Sequence, residues 1–208
     1  WIKNFYIKDN KPSIIFANEF FDCLPIRQFY KKRNKWYEKM VQINHKNISV
    51  NLVDKEVNDS KNLKIINQYK SNSVLEISKS REEYFNKICR HISKNGGQII
   101  VIDYGYYERP KYLTLQSVYN NKKSNILDNI GNQDISSLID FKKLIDIANI
   151  NKLKTNIFCS QRDFLLNHGI VHRLKKNLIK SDDKQAKIMK LGLAKIIDKK
   201  SMGSLFKV

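Results

Sequence analysis

At 208 residues and 41% hydrophobic content, the chain has the length of one domain and enough apolar side chain to bury a core, which excludes a disordered polymer. Its 39 Lys and Arg against 20 Asp and Glu leave a formal charge of +19. No apolar run reaches the roughly 20 residues of a membrane-spanning helix, and the start lacks the charged-then-apolar plan of a signal peptide, so no membrane insertion is expected and a cytoplasmic protein is.

The elements read as follows in chain order. Ile14 to Ala17 is an apolar run of buried-strand length that ends abruptly in Asn18, Glu19 and Asp22 before Pro25. Gln28 to Tyr30 and Trp36 to Ile43 form a hairpin around the charged tip Lys31-Lys32-Arg33-Asn34-Lys35. Residues 44 to 72 are polar and weakly patterned, and no element is assigned there. Ser80 and Glu83 have capping-box spacing ahead of Tyr84, Phe85, Ile88 and Ile92, which predicts a helix from about Arg81 to Lys94 that stops at Asn95-Gly96-Gly97. Ile99-Ile100-Val101-Ile102 then reads as a strand buried on both faces. Helix feeding strand in this way is the αβ unit of a doubly wound α/β fold.

Further on, Asn120 to Asn125 reads as a solvated loop, Phe141 to Ala148 as a helix capped by Asp140, and Thr155 to Phe158 as a strand. Ser160 and Asp163 repeat the capping-box spacing before a helix that Gly169 ends. A last helix covers Asp182 to about Ile197, and a terminal strand Ser204 to Val208. With no internal repeat or linker, residues 1–208 are expected to form a single domain.

Open α/β sheets place their chemistry at the carboxyl ends of the strands. Two carboxylates three residues apart, Glu19 and Asp22, can grip a guanidinium through charge-assisted bidentate hydrogen bonds, with Asn18 beside them. The alternative is that Asn18 or Asp22 caps the following turn. Asp103-Tyr104-Gly105-Tyr106 ends the second buried strand; an acid with two aromatics there can line the same crevice and stack on a cationic substrate, or can be a polar strand terminus with a glycine turn. His168 and His172 are four apart, but Gly169 and two β-branched residues argue against the helix that zinc ligation would need, so no metal site is assigned. His45 and His91 are isolated and read as surface or helix-end residues. Cys23, Cys89 and Cys159 are far apart and read as small buried apolar residues rather than a disulfide or zinc framework. The positive charge is mostly Lys spread among Asn and Ile, with only seven Arg, so any nucleic-acid binding is expected to be non-specific.

The words Ala17-Asn18-Glu19-Phe20-Phe21-Asp22 and Leu24-Pro25-Ile26-Arg27-Gln28-Phe29 resemble the signature of the MidA family, class I S-adenosylmethionine-dependent methyltransferases linked to assembly of respiratory complex I. Matches follow in the family's order: Gly96-Gly97 before Val101-Ile102-Asp103-Tyr104-Gly105-Tyr106, Thr114-Leu115-Gln116, Asp134-Ile135-Ser136 with Asp140-Phe141, Gln161 with Phe164-Leu165, Gly169-Ile170, and Met202-Gly203 before Leu205-Phe206. The chain departs from the pattern at Leu113, where the family has an acid, and near Asn121, where it often has a histidine.

The resemblance implies a Rossmann-like sheet with a hairpin insertion and a helical insertion, S-adenosyl-L-methionine as cofactor, and arginine methylation of a protein substrate such as an NADH dehydrogenase subunit in a bacterial cytoplasm. It strengthens the reading of the Asn18, Glu19 and Asp22 cluster, with Glu19 and Asp22 expected to be catalytic and Asn18 substrate-binding, while Asp103, Tyr104 and Tyr106 are expected to bind substrate from their place at the second strand end. In the family the Gly-rich cofactor loop lies upstream of the Asn-Glu-Phe-Phe-Asp word, and no such loop is present here. The expectation is thus the carboxyl-terminal part of the enzyme, an incomplete domain inactive alone and needing a separate amino-terminal half, with no cofactor-binding residue assigned. The alternatives are a non-catalytic remnant or protein-interaction module, and a basic nucleic-acid binder.

Overall fold

A computed structural model describes residues 10–44, 49–69 and 73–208. In chain order it contains β1 (Ser13–Asn18), β2 (Arg27–Lys32), β3 (Lys35–Asn44), β4 (Ser49–Glu56), α1 (Ser60–Gln68), β5 (Val74–Ile77), α2 (Lys79–Asn95) and β6 (Gly97–Tyr106). There follow β7 (Gln116–Tyr119), β8 (Lys122–Ser124), β9 (Asp134–Ser136), β10 (Ile139–Asp140), α3 (Phe141–Ile150), α4 (Gln161–Asn167), α5 (Ile170–Leu178), α6 (Asp183–Ile197), α7 (Met202–Leu205) and β11 (Phe206–Lys207). These sort into two compact units, one from Trp1–Asp22, Tyr84–Tyr107 and Ile139–Val208, the other from Cys23–Glu83 and Glu108–Leu138.

The first unit is built on β6. Its first six residues pair in parallel with β1, from Ser13 opposite Gly97 to Asn18 opposite Ile102. Beyond them Asp103 and Tyr104 pair antiparallel with β11, and Gly105 and Tyr106 pair in parallel with β10. Phe85, Ile88, Cys89 and Ile92 of α2 are all buried, the i, i+3, i+4, i+7 stripe expected of a core-facing helix. Gly96 ends α2 at φ +80°, its N–H donating to the Ile92 carbonyl at 2.8 Å. Asp140, Ser160 and Asp182 cap α3, α4 and α6, each side chain accepting a backbone N–H three residues on. Ser160 also donates to the Asp163 carboxylate at 2.6 Å.

Several expectations in this unit need correction. Strands β1 and β6 are not sealed on both faces: Ile14 and Phe16 are exposed, and Ile99, Ile100 and Val101 are only half-buried. A cavity of about 550 Å³ lies against Gly97–Val101, and residues 153–158 line it. Thr155 to Phe158 consequently forms no strand, having no ladder partner across that cavity. The terminal strand is shorter than Ser204 to Val208, because α7 takes Met202–Leu205 and leaves Phe206–Lys207. Residues after Gly169 do form a helix, α5, although Ile170 and Val171 are β-branched. Gly169 at φ +80° separates it from α4, so His168 and His172 still do not share one helix.

The second unit holds a four-stranded antiparallel sheet of order β4-β3-β2-β5 and a three-stranded sheet of order β8-β7-β9. The β2–β3 hairpin turns at Arg33 and Asn34, both at positive φ, the conformation that two-residue hairpin turns require. Its small core gathers Phe29, Val57, Ile66, Leu75 and Ile77. The unassigned stretch 44–72 supplies β4 and α1; His45 lies outside the described residues. Asn120 to Asn125 is not a loop but the turn and second strand of the β7–β8 hairpin, with Asn120 and Asn121 at φ 50° and 59°. Asparagine tolerates the left-handed region, and a run of it reads as solvated loop when only polarity is weighed. Helix α2 starts before the proposed box, with Ser78 Oγ accepting the Arg81 N–H at 3.2 Å.

Gly97 tests the β1–β6 seam. It sits at φ +125°, and a Cβ there would land on the Ser13 carbonyl. Gly97→Ala is expected to cost at least the 1–3 kcal/mol of a strained backbone residue and to lower the thermal midpoint by several degrees, read by circular dichroism.

Candidate functional site at the carboxyl ends of β1 and β6

Strand β1 continues its ladder one residue past its end, the Glu19 N–H donating to the Ile102 carbonyl at 3.0 Å. The chain then turns at Glu19 itself, whose φ is 47°. A non-glycine residue in this region carries steric strain, and such residues gather where surrounding contacts over-determine them. Here those contacts converge on Asp103. Its carboxylate accepts the Phe21 N–H at 3.0 Å, the Tyr104 N–H at 2.9 Å and also the Asp22 N–H. Phe21 is fully buried and edge-on to Phe85, with ring centroids 5.9 Å apart. A carboxylate and an aromatic ring thus fix the turn from backbone and side chain together.

The site is electrostatically uneven. Asp103 has no exposed surface, and burial, followed by the nearby charge of Asp22, pushes its pKa up to about 7 against the opposing pull of the three N–H donors. Asp22 is also buried, whereas Glu19 is exposed to solvent. The Tyr104 phenol is pushed up as well, first by burial and then by Glu19, Asp22 and Asp103. Those four groups therefore share one local field.

The predicted residues are distributed unevenly across this arrangement. Glu19, Asp22, Asp103 and Tyr104 come together, and the Asn18 amide lies 3.4 Å from the Glu19 carboxylate. Asp103 is spent on holding the turn rather than lining an open crevice. Tyr104 packs its ring against Phe206, centroids 3.9 Å apart, a partner that sequence reasoning did not connect to the site although the Leu205-Phe206 word was noted. Tyr106 stands two residues further along β6, opposite Asp140 of β10. Among the cysteines, Cys89 is buried, its thiol pushed up to about 12 by desolvation; Cys159 is half-buried, and Cys23 is exposed, contrary to expectation. His91 sits in the last turns of α2, within hydrogen-bonding distance of Ser13 and Asn95. Among the described residues no group of three or more His, Cys, Asp or Glu side chains is placed to hold a metal ion.

A nucleoside cofactor needs a backbone cradle, usually glycine-rich, beside such a strand end. The tight glycines of this unit do other work. The missing Cβ of Gly97 clears the Ser13 backbone, that of Gly105 clears Phe141 and Ile139, and that of Gly203 clears Ile197 and Asp198. The residues present do not by themselves fit an S-adenosylmethionine cradle, and the chemistry derivable from them lies on the acceptor side.

A family model for S-adenosyl-L-methionine-dependent methyltransferases matches residues 1–159. The chain is 27% identical over 175 residues to the mitochondrial protein arginine methyltransferase NDUFAF7 of Danio rerio, covering 82% of this chain and 40% of that protein. It is 29% identical over 175 residues to the corresponding homolog of Caenorhabditis elegans, covering 80% of this chain and 39% of that protein. The chain thus spans well under half the length of these curated relatives. A likely methyl transferase of the COG1565 superfamily from Burkholderia thailandensis, solved bound to S-adenosyl-homocysteine, superposes with a TM-score of 0.79 at 21% identity, covering all of this chain and 54% of that one. That likeness establishes a mixed α/β fold of the methyltransferase kind. The match over three quarters of its length, in the order its own motifs run, shows that the chain belongs to the MidA family of S-adenosyl-L-methionine-dependent methyltransferases.

Proposed function

We propose that the acidic end of β1 receives the guanidinium of a protein arginine, and that these 208 residues furnish the acceptor side of a protein-arginine methyltransferase acting on an NADH dehydrogenase subunit. The observation that carries this reading is Glu19, an exposed carboxylate held in a left-handed backbone conformation beside the buried Asp22 and Asp103. Relatives named as protein arginine methyltransferases supply the reaction class. In this reading the two units belong to one methyltransferase domain of doubly wound type, the second interrupting the first in sequence, and the cofactor cradle is supplied outside these residues.

The chemistry asked of the chain is specific. A guanidinium stays protonated in proteins, so its nitrogens are poor nucleophiles until charge is drawn to one side. Glu19 accepts hydrogen bonds from the guanidinium, orients one nitrogen, and takes the proton that nitrogen loses when it gains a methyl group. Asp22 adds negative charge nearby, Asn18 orients the Glu19 carboxylate, and the half-buried rings of Tyr104 and Tyr106 flank the cation. Asp103 is a positioning residue.

In an enzyme containing these residues, Glu19→Gln keeps size and hydrogen bonding but removes the charge. It is expected to lower methyl transfer to an arginine peptide by about one to two decades while sparing cofactor affinity, since a charge-assisted hydrogen bond contributes roughly 1.5–3 kcal/mol. Asp22→Asn is expected to follow in the same direction; normal turnover with a lowered melting point would make Asp22 a structural cap. Unchanged turnover in Glu19→Gln would falsify the guanidinium assignment.

Asp103 yields a separate expectation. Its folded-state pKa of about 7 lies above the unfolded value, so between roughly pH 4 and 7 the native state binds more protons than the unfolded one. Its contribution is therefore most favourable below that window and is lost as pH rises through it. Melting temperatures of the parent chain, measured relative to Asp103→Asn, are expected to decline across the window. A difference flat with pH would show that Asp103 is not held protonated by burial.

A further inference from the structure

Helices α5 and α6 belong to the first unit, yet neither has a buried residue. In α5 the half-buried positions are Ile170, Leu174 and Leu178, one row at i, i+4, i+8, which leaves His172, Arg173, Lys175 and Lys176 outward. In α6 the half-buried positions are Ala186, Met189, Leu193, Ile196 and Ile197. The opposite face of α6 holds Lys184, Ile188, Leu191 and Lys195 at i, i+4, i+7, i+11, with Lys187 beside them. Ile188 and Leu191 are 61% and 62% exposed, and Ile179, at the corner between the helices, is 83% exposed.

The charge on this hairpin is one-sided. From Ile170 to Ile197 there are eight Lys and Arg against Asp182 and Asp183, and Asp182 is occupied in capping α6. In the second unit, by contrast, Arg27 pairs with Glu38, Lys35 with Glu56, Lys39 with Asp54 and Lys79 with Glu83. There lysines are matched with acids; here they frame apolar side chains instead.

We infer that the outward face of the α5–α6 hairpin docks on an anionic lipid surface, with Ile179, Ile188 and Leu191 entering the headgroup boundary and the surrounding lysines meeting lipid phosphates. Helices with a basic rim around an outward apolar stripe bind interfaces through both terms, and each lysine near an anionic leaflet adds about fivefold in affinity. A nucleic acid would use the lysines but leave the three large apolar side chains in water, so lipid accounts for more of the face. Docking here is peripheral, since no helix among the described residues is long and apolar enough to cross a membrane.

The test is co-sedimentation of the chain with phosphatidylcholine vesicles with and without phosphatidylglycerol. Binding is expected only with the anionic lipid and is expected to weaken with salt. The double substitution Ile188→Ser with Leu191→Ser, at exposed positions that spare the fold, is expected to reduce partitioning at least tenfold with an unchanged melting curve. Lys184→Gln with Lys187→Gln should reduce it roughly twenty-fivefold. Equal binding to neutral and anionic vesicles, or no binding to either, overturns the proposal. So does full binding by the serine variant, which would leave only lysine adhesion of the kind duplex DNA shares. A parent dimer that the serine variant converts to monomer, with no vesicle binding by either, would assign the face to a second copy of the chain and overturn it as well.

Discussion

The buried Asp103 carboxylate is the constraint on which the site depends. Taking an acid out of water is expensive unless donors replace the lost hydration, and the backbone N–H groups of Phe21, Asp22 and Tyr104 do so. Two of those donors belong to the segment after β1 and one to β6, so a single side chain ties the exits of two parallel strands together. The Phe21 N–H belongs to a fully buried residue, where a lost acceptor is costly.

That tie explains why Glu19 can occupy φ 47°. A left-handed glutamate costs free energy that a loose loop would relax by shifting to an extended conformation. Here the residue before it is held in the β1–β6 register, and its own N–H is bonded to Ile102. Two residues later Phe21 is fastened by Asp103 below and by Phe85 at its ring edge. Strain at one position persists because both neighbours are fixed, an arrangement that orients an exposed carboxylate better than a flexible turn would.

Much of this was legible in the residues. The run Ile14 to Ala17 forms a strand, though not a buried one, while the 3.6-residue spacing of Phe85, Ile88 and Ile92 and the side-chain caps at Asp140 and Ser160 are local signals that formed as read. The Thr155 to Phe158 strand failed because a strand is a statement about its partner, and β propensity cannot supply a ladder across a 550 Å³ cavity. The stretch 44–72 was opaque for a related reason: β4 is an edge strand, and its mixed burial blurs the alternation that would reveal it. At the site, the acids were readable but their division of labour was not. Nothing in the spacing of Glu19, Asp22 and Asp103 says which one is buried, because burial depends on contacts between segments far apart in sequence, such as Phe21 with Phe85 and Tyr104 with Phe206.

That division bears on recognition. Asp22 and Asp103 are buried close enough for one to raise the other's pKa, so the pair resists carrying two full charges. Near neutral pH the proton on Asp103 is therefore only loosely held. In the proposed reading a guanidinium at Glu19 would bring a positive charge into the same field that raises the Tyr104 phenol, and its effect on the nearby acids would be to favour the ionised form. Neutral ligands of equal shape would not do this. In the proposed reading the strand end would meet a cation at two depths, Glu19 by direct contact at the surface and the buried Asp22–Asp103 pair beneath it through the ionised form that a positive charge favours.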